Sequence, residues 1–245
     1  MKKEVFRWEI RKLFEGNKKF LWIVGIIVYL LLIFTQNYTI RNQTLQETQV
    51  EEMVSMMKKV LYGGMSFFHI ALIIAVVSPV FSGEWDSNMY DAIRTAKYGR
   101  SVIVWVKLAA AFAVIMAWMI LYNGFNYLFF NVVLGWNKVS ALGTYWKMGI
   151  LSQIFGNLAI VGICCLISVM TKSAFSSAAI SILIIFLPIF MPDNGIQGYL
   201  KYFPIWSVQL ETCREVPQFA VILIADAVIV LGSIFLIRMK KWKWV

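Results

Sequence analysis

The stretch VIVWVKLAAAFAVIMAWMILYNGFNYLFFNVVLGW, residues 102–136, runs for 35 positions with a single charge, Lys107. A bilayer core about 30 Å thick needs roughly 20 mainly apolar helical residues to cross it, so this run has more than enough. Continued as one helix it would extend about 50 Å at about 1.5 Å per residue, too long for one crossing. The reading is a span over 102–123, followed by an interfacial or partly re-entrant piece. Tyr127, Phe129, Phe130 and Trp136 suit a membrane boundary there.

Working outward, five further apolar runs meet or approach the same length: about 20–35, 60–82, 148–170, 174–191 and 218–237. The first and fifth are short and borrow flanking residues. The composition agrees: 60% hydrophobic and 15% charged, with a mean hydropathy of +0.72, whereas soluble domains carry about 25% charged residues. The expected architecture is therefore all-α and integral to a membrane. One domain, 1–245, holds six spans.

The net charge of +10 suggests nucleic-acid binding in a soluble protein, but here the excess sorts by loop. With the N-terminus inside, the inner segments hold fifteen Lys and Arg and the outer ones seven. That asymmetry puts both termini in the cytoplasm. Residues 1–19 gather Phe6, Ile10, Leu13 and Phe14 on one helical face, with Glu4, Arg7, Arg11 and Glu15 on another. Such a helix lies in the inner interface against lipid, with Trp8 at its boundary. Outside, residues 192–217 are too apolar for a free loop and are expected to dip into the outer leaflet as short helices.

Chemistry is sparse. No GxxxxGK[ST] occurs, so the chain lacks the usual phosphate cradle for ATP. One histidine and three scattered cysteines, Cys164, Cys165 and Cys213, give no basis for a metal site or a disulfide framework. No catalytic residues, metal or bound cofactor are assigned, and no enzyme activity is expected. Ionisable groups inside spans are functional candidates by default. His69 and Asp226 sit at similar depth, where they either pair on a translocation path or bond separately. Lys107, nearer the inner face, is expected to snorkel. Small residues recur every four positions, at Ala109, Ala113 and Ala117 and at Ser173, Ser177 and Ser181, which lets helices approach closely.

Between the second and third runs lies the charged insert SGEWDSNMYDAIRTAKYGRSV, residues 82–102. Trp85, Met89, Ala92, Ile93 and Ala96 recur at helical spacing, and Gly99 ends the pattern. Phe81 and Glu84, the turn from Thr95 to Arg100, and Lys107 beyond it resemble the pattern of ABC-2 type permeases, the membrane subunits of ATP-driven exporters. The likeness extends to the whole plan of interfacial helix, six spans, long first and very short second cytoplasmic loops.

That resemblance implies a coupling helix over 83–100. Glu84, Trp85, Met89, Tyr90, Ile93, Arg94, Lys97, Tyr98 and Arg100 would meet an ATPase subunit, and Thr171 and Lys172 would make a second, smaller contact. It also implies two ATPase chains carrying the ATP and Mg, a second permease subunit, and a bacterial plasma membrane. The cargo it suggests is a peptide, bacteriocin or hydrophobic antibiotic. Two other readings stand beside it. One is a proton-coupled carrier using His69 and Asp226, and the other is a non-transporting immunity protein.

Overall fold

The computed structural model describes residues 2–44, 64–86, 99–134, 143–171, 173–190, 203–205 and 216–240. Among these residues every extended element is a helix, and four stretches are long and apolar enough to cross a membrane: Phe67–Glu84, Val102–Leu128, Gly149–Met170 and Ala220–Ile237. The chain is a multi-pass helical membrane protein by that measure.

Helix α1 (Lys2–Lys12) leads through a tight turn into α2 (Asn17–Thr44). Shortened bonds from the Leu13 and Phe14 amides to the Ile10 and Arg11 carbonyls close α1. Gly16 then takes a φ of 62°, the left-handed conformation that a residue with a Cβ resists. The Leu13 carbonyl, left over at the helix end, accepts the Trp22 indole N–H at 2.9 Å, as an orphan group at a helix terminus must find a partner. Phe14 stacks on Trp22 with centroids 5.4 Å apart. The expected amphipathic face is present: Phe6 and Ile10 pack on the core and Leu13 is buried. What it covers is mainly the helix carrying Lys107.

The second apolar run is two helices, α3 (Gly64–Val77) and α4 (Pro79–Asp86), divided at Ser78. Proline lacks an amide and fits the first position of a helix, so Pro79 starts α4 instead of continuing α3. Next come α5 (Gly99–Leu134), α6 (Gly143–Met170), α7 (Ala174–Phe190) and α8 (Val216–Lys240).

The expected interfacial or re-entrant piece after residue 123 is not formed: α5 runs unbroken for 36 residues. Asn123 turns its carboxamide onto the Met119 carbonyl one turn back at 3.0 Å, and Asn126 accepts a bond from Tyr29 at 3.1 Å. With the Asn123 amide and the Asn126 side-chain oxygen bonded inside the bundle, both asparagines sit within the helix. A helix longer than the bilayer is accommodated by tilting or by projecting beyond it.

Helix α6 is the hub, packing against α3, α4, α5, α7 and α8. Gly162 permits a close approach to α8, since a Cβ there would lie 3.2 Å from Ser233. The outward face of α8 is apolar and exposed at Val221, Ile224, Val228, Leu231 and Phe235. The two small-residue stripes have different fates. Ser177 and Ser181 are buried against α3, whereas Ala109, Ala113 and Ala117 are exposed.

Candidate functional site

At the end of the bundle where α1 packs, two carboxylates and two lysines converge from three helices. Lys107 on α5 is only 2% exposed. Its ammonium lies 2.5 Å from Glu84 on α4 and 3.5 Å from Glu9 on α1, and donates to the Val80 carbonyl at 2.9 Å. Lys12 on α1 lies 3.7 Å from both carboxylates and 3.4 Å above the Trp8 ring. Burial, and then the charge of Lys107, lower the Lys12 pKa from the usual lysine range, while Glu9 and Glu84 oppose the shift.

Lys107 therefore does not snorkel. The expectation failed because Glu9 and Glu84 provide counter-charge inside the fold, so the ammonium need not reach water. Removing one partner from such a cluster leaves an uncompensated buried charge, which is costly even where the intact pair adds little stability.

Beside this cluster lies a cavity of about 610 Å³ between α1, the start of α2, α4 and α5. Glu9, Lys12, Lys18, Glu84 and Lys107 all contribute to its wall. Lys18, just ahead of the first apolar run, has its pKa pushed down to about 8, by burial first and by the charge of Lys107 next.

One turn deeper, the break at Ser78–Pro79 is bound to α6 and α7 by hydroxyls. The Phe81 and Ser82 amides, near the start of α4, both donate to the Ser168 hydroxyl on α6, each at 3.0 Å. Ser168 in turn donates to the Ser82 hydroxyl at 3.2 Å. The Ser78 carbonyl accepts from Ser82 at 3.1 Å and from Ser177 on α7 at 2.9 Å, and the Ser78 hydroxyl donates to Ser181 at 3.3 Å. Amides freed by a helix break thus find partners without water, as a hydrocarbon environment requires.

Deeper still, Trp118 donates its indole N–H to His69 Nδ1 at 2.8 Å, and Tyr122 packs on the imidazole at 5.0 Å. The Tyr29 hydroxyl bonds the Tyr122 carbonyl at 3.1 Å. His69 and Asp226 do not pair. The imidazole is taken up by Trp118 with Asn157 within reach. Asp226 is buried on α8, the helix packed on α6.

The residues expected to face an ATPase divide. Glu84 points into the protein, with its charge shared between Lys107 and Lys12. Trp85 lies in the last turn of α4 and Arg100 in the first turn of α5. Thr171 bonds the Ile167 carbonyl at 3.0 Å. Met89, Tyr90, Ile93, Arg94, Lys97, Tyr98 and Lys172 lie outside the described residues, as do residues 191–202 and 206–215 of the expected outer segment.

Glu9, Lys12, Ser168 and Trp118 were missed. For Glu9 a signal existed: it borders the apolar face of α1, where an acid is out of place. For the helix break, Pro79 in the middle of an apolar run was the sign. No protein-family model matches the chain, and no curated protein matches it.

Proposed function

We propose that this chain is the permease subunit of an ATP-driven exporter of the ABC-2 type. Two such subunits, identical or related, form the pathway through six spans each, including α2 and α7. Separate ATPase subunits act on residues 83–100, and the cargo is a peptide, bacteriocin or hydrophobic antibiotic.

The observation that supports this reading is how α4, which leads into that segment, is fastened. Its carboxyl end is tied to α1 and α5 by the Glu84 cluster, and its amino end to α6 by Ser168. A push on the cytoplasmic segment would therefore be carried into three helices at once. Glu84 serves in this scheme as a positioning residue inside the lever, and the surface contacts fall to residues 89–98.

Co-expression with candidate ATPases tests the proposal. Reversing charge at Arg94 and Lys97 is expected to abolish co-purification. Glu84→Gln is expected to keep the complex while lowering transport-coupled ATP hydrolysis. Cargo export by inside-out vesicles that needs no ATP would overturn it.

A further inference from the structure

Within the ionic cluster each carboxylate is answered by lysines, but the cavity beside it holds one cation more. Glu84 is held by Lys107 and Lys12, and Glu9 is buried beside the same two lysines. Glu15, also in the wall, is paired with Arg11 on the exposed side of α1. Lys18 completes the wall and makes no ion pair among the described residues. With Glu15 assigned to Arg11, three lysines face two carboxylates, which leaves one positive charge over. Burial and the charge of Lys107 act against the Lys18 ammonium more strongly than Glu9 supports it, so a counter-ion here would relieve it.

The surplus calls for an anion, and the backbone favours the same sign. Helix α2 opens at Asn17, and Gly16, Asn17 and Lys18 all line the cavity. The first amides of a helix have no partner inside it and carry the positive end of its dipole. Such a corner suits a phosphate. Position supplies the source. The apolar run begins at Phe20, just past Lys18, and Phe20 and Ile23 are exposed on the helix that leads away from the cavity. A phosphate with acyl chains laid along that helix meets both the charge and the apolar face, whereas a soluble phosphate meets only the charge.

We infer that this cavity binds the phosphate of an anionic membrane lipid, seated on Lys18 and the start of α2. Net charge is the property it discriminates. Phosphatidylglycerol brings one negative charge and matches the surplus. Phosphatidylcholine and phosphatidylethanolamine add a cation, and the two carboxylates it would approach are already held by lysines.

Native mass spectrometry of the full chain, released from nanodiscs containing equal amounts of the three lipids, tests this. The wild-type chain is expected to retain phosphatidylglycerol about fivefold over either zwitterionic lipid, as one like-charge repulsion would give. Lys18→Gln is expected to remove that preference. Arg7→Gln, exposed on α1 and outside the wall, is expected to keep it. Equal retention of the three lipids by the wild-type chain, or an unchanged preference in Lys18→Gln, would overturn the site. Loss of the preference in both variants would do the same, because it would mean a general attraction of basic residues to an anionic surface. Glycerol 3-phosphate is expected not to displace the lipid; displacement at similar concentration would assign the cavity to a soluble phosphate and overturn the lipid source. The wild-type chain gives a second readout. A bound phosphate moves the Lys18 pKa from about 8 back toward 10.5, so the rise of the melting midpoint between those pH values is expected to be smaller in phosphatidylglycerol than in phosphatidylcholine nanodiscs. An identical rise in the two would count against the contact with Lys18. None of these readouts involves transport, so they stand or fall apart from the exporter proposal.

Discussion

Lys107 is the side chain on which the ionic end of the bundle depends. We predict that Lys107→Met destabilises the protein by about 3–5 kcal/mol, because Glu9 and Glu84 lose their shared cation while staying buried. Combining it with Glu84→Gln is expected to cost less than the two single changes together, measured by thermal unfolding in detergent. Lys18 supplies a pH signature of known sign. Its folded pKa is about 8 against 10.5 for an ordinary lysine, so between those values the unfolded chain binds the extra proton. Stability therefore rises as pH increases from about 8 to 10.5. Lys18→Gln is expected to flatten that rise in a pH series of melting midpoints. At this scale the sequence was only partly legible. A lone lysine in an apolar run announces a special site, but its partner Glu9 lies almost a hundred positions away. No local pattern links the two, and they meet only because α1 folds back over α5.

At the scale of elements, the apolar runs and the amphipathic face of α1 could be read directly, since both are periodic features of local sequence. The continuity of α5 could not. Asparagine and glycine near residue 124 look like an interruption until their partners are known, and Tyr29 belongs to a distant helix. The break at Ser78–Pro79 gives the sharpest prediction. Ser168→Ala leaves the Phe81 and Ser82 amides without an acceptor, at a cost of about 1–3 kcal/mol. Hydrogen exchange at those two amides is expected to quicken more than at the rest of α4. Ser168→Thr, which keeps the hydroxyl, is expected to restore protection; equal exchange in Ser168→Ala and the parent would refute the assignment.

Across the whole molecule, α6 holds the polar and apolar contacts together while α8 lies on its outer side, facing away with an apolar surface. That surface belongs against lipid. Leu231→Asp is predicted to lower membrane insertion of α8 by about 2.5–3.5 kcal/mol on the scale of translocon measurements, read from the inserted fraction in a microsomal assay. An acid tolerated there without loss would mean that another protein covers the face. The transport reading depends on this scale most of all, since it needs the segment between α4 and α5 and a partner chain, and neither is a property of one helix.

The hydroxyl of Ser168 has one more consequence. Because two amides of α4 share that single acceptor on α6, the bend at Ser78–Pro79 and the seating of α6 are one mechanical coordinate, not two. The second span can change its angle only by carrying α6 with it or by stranding both amides in a dry interior. The joint is therefore geared rather than loose.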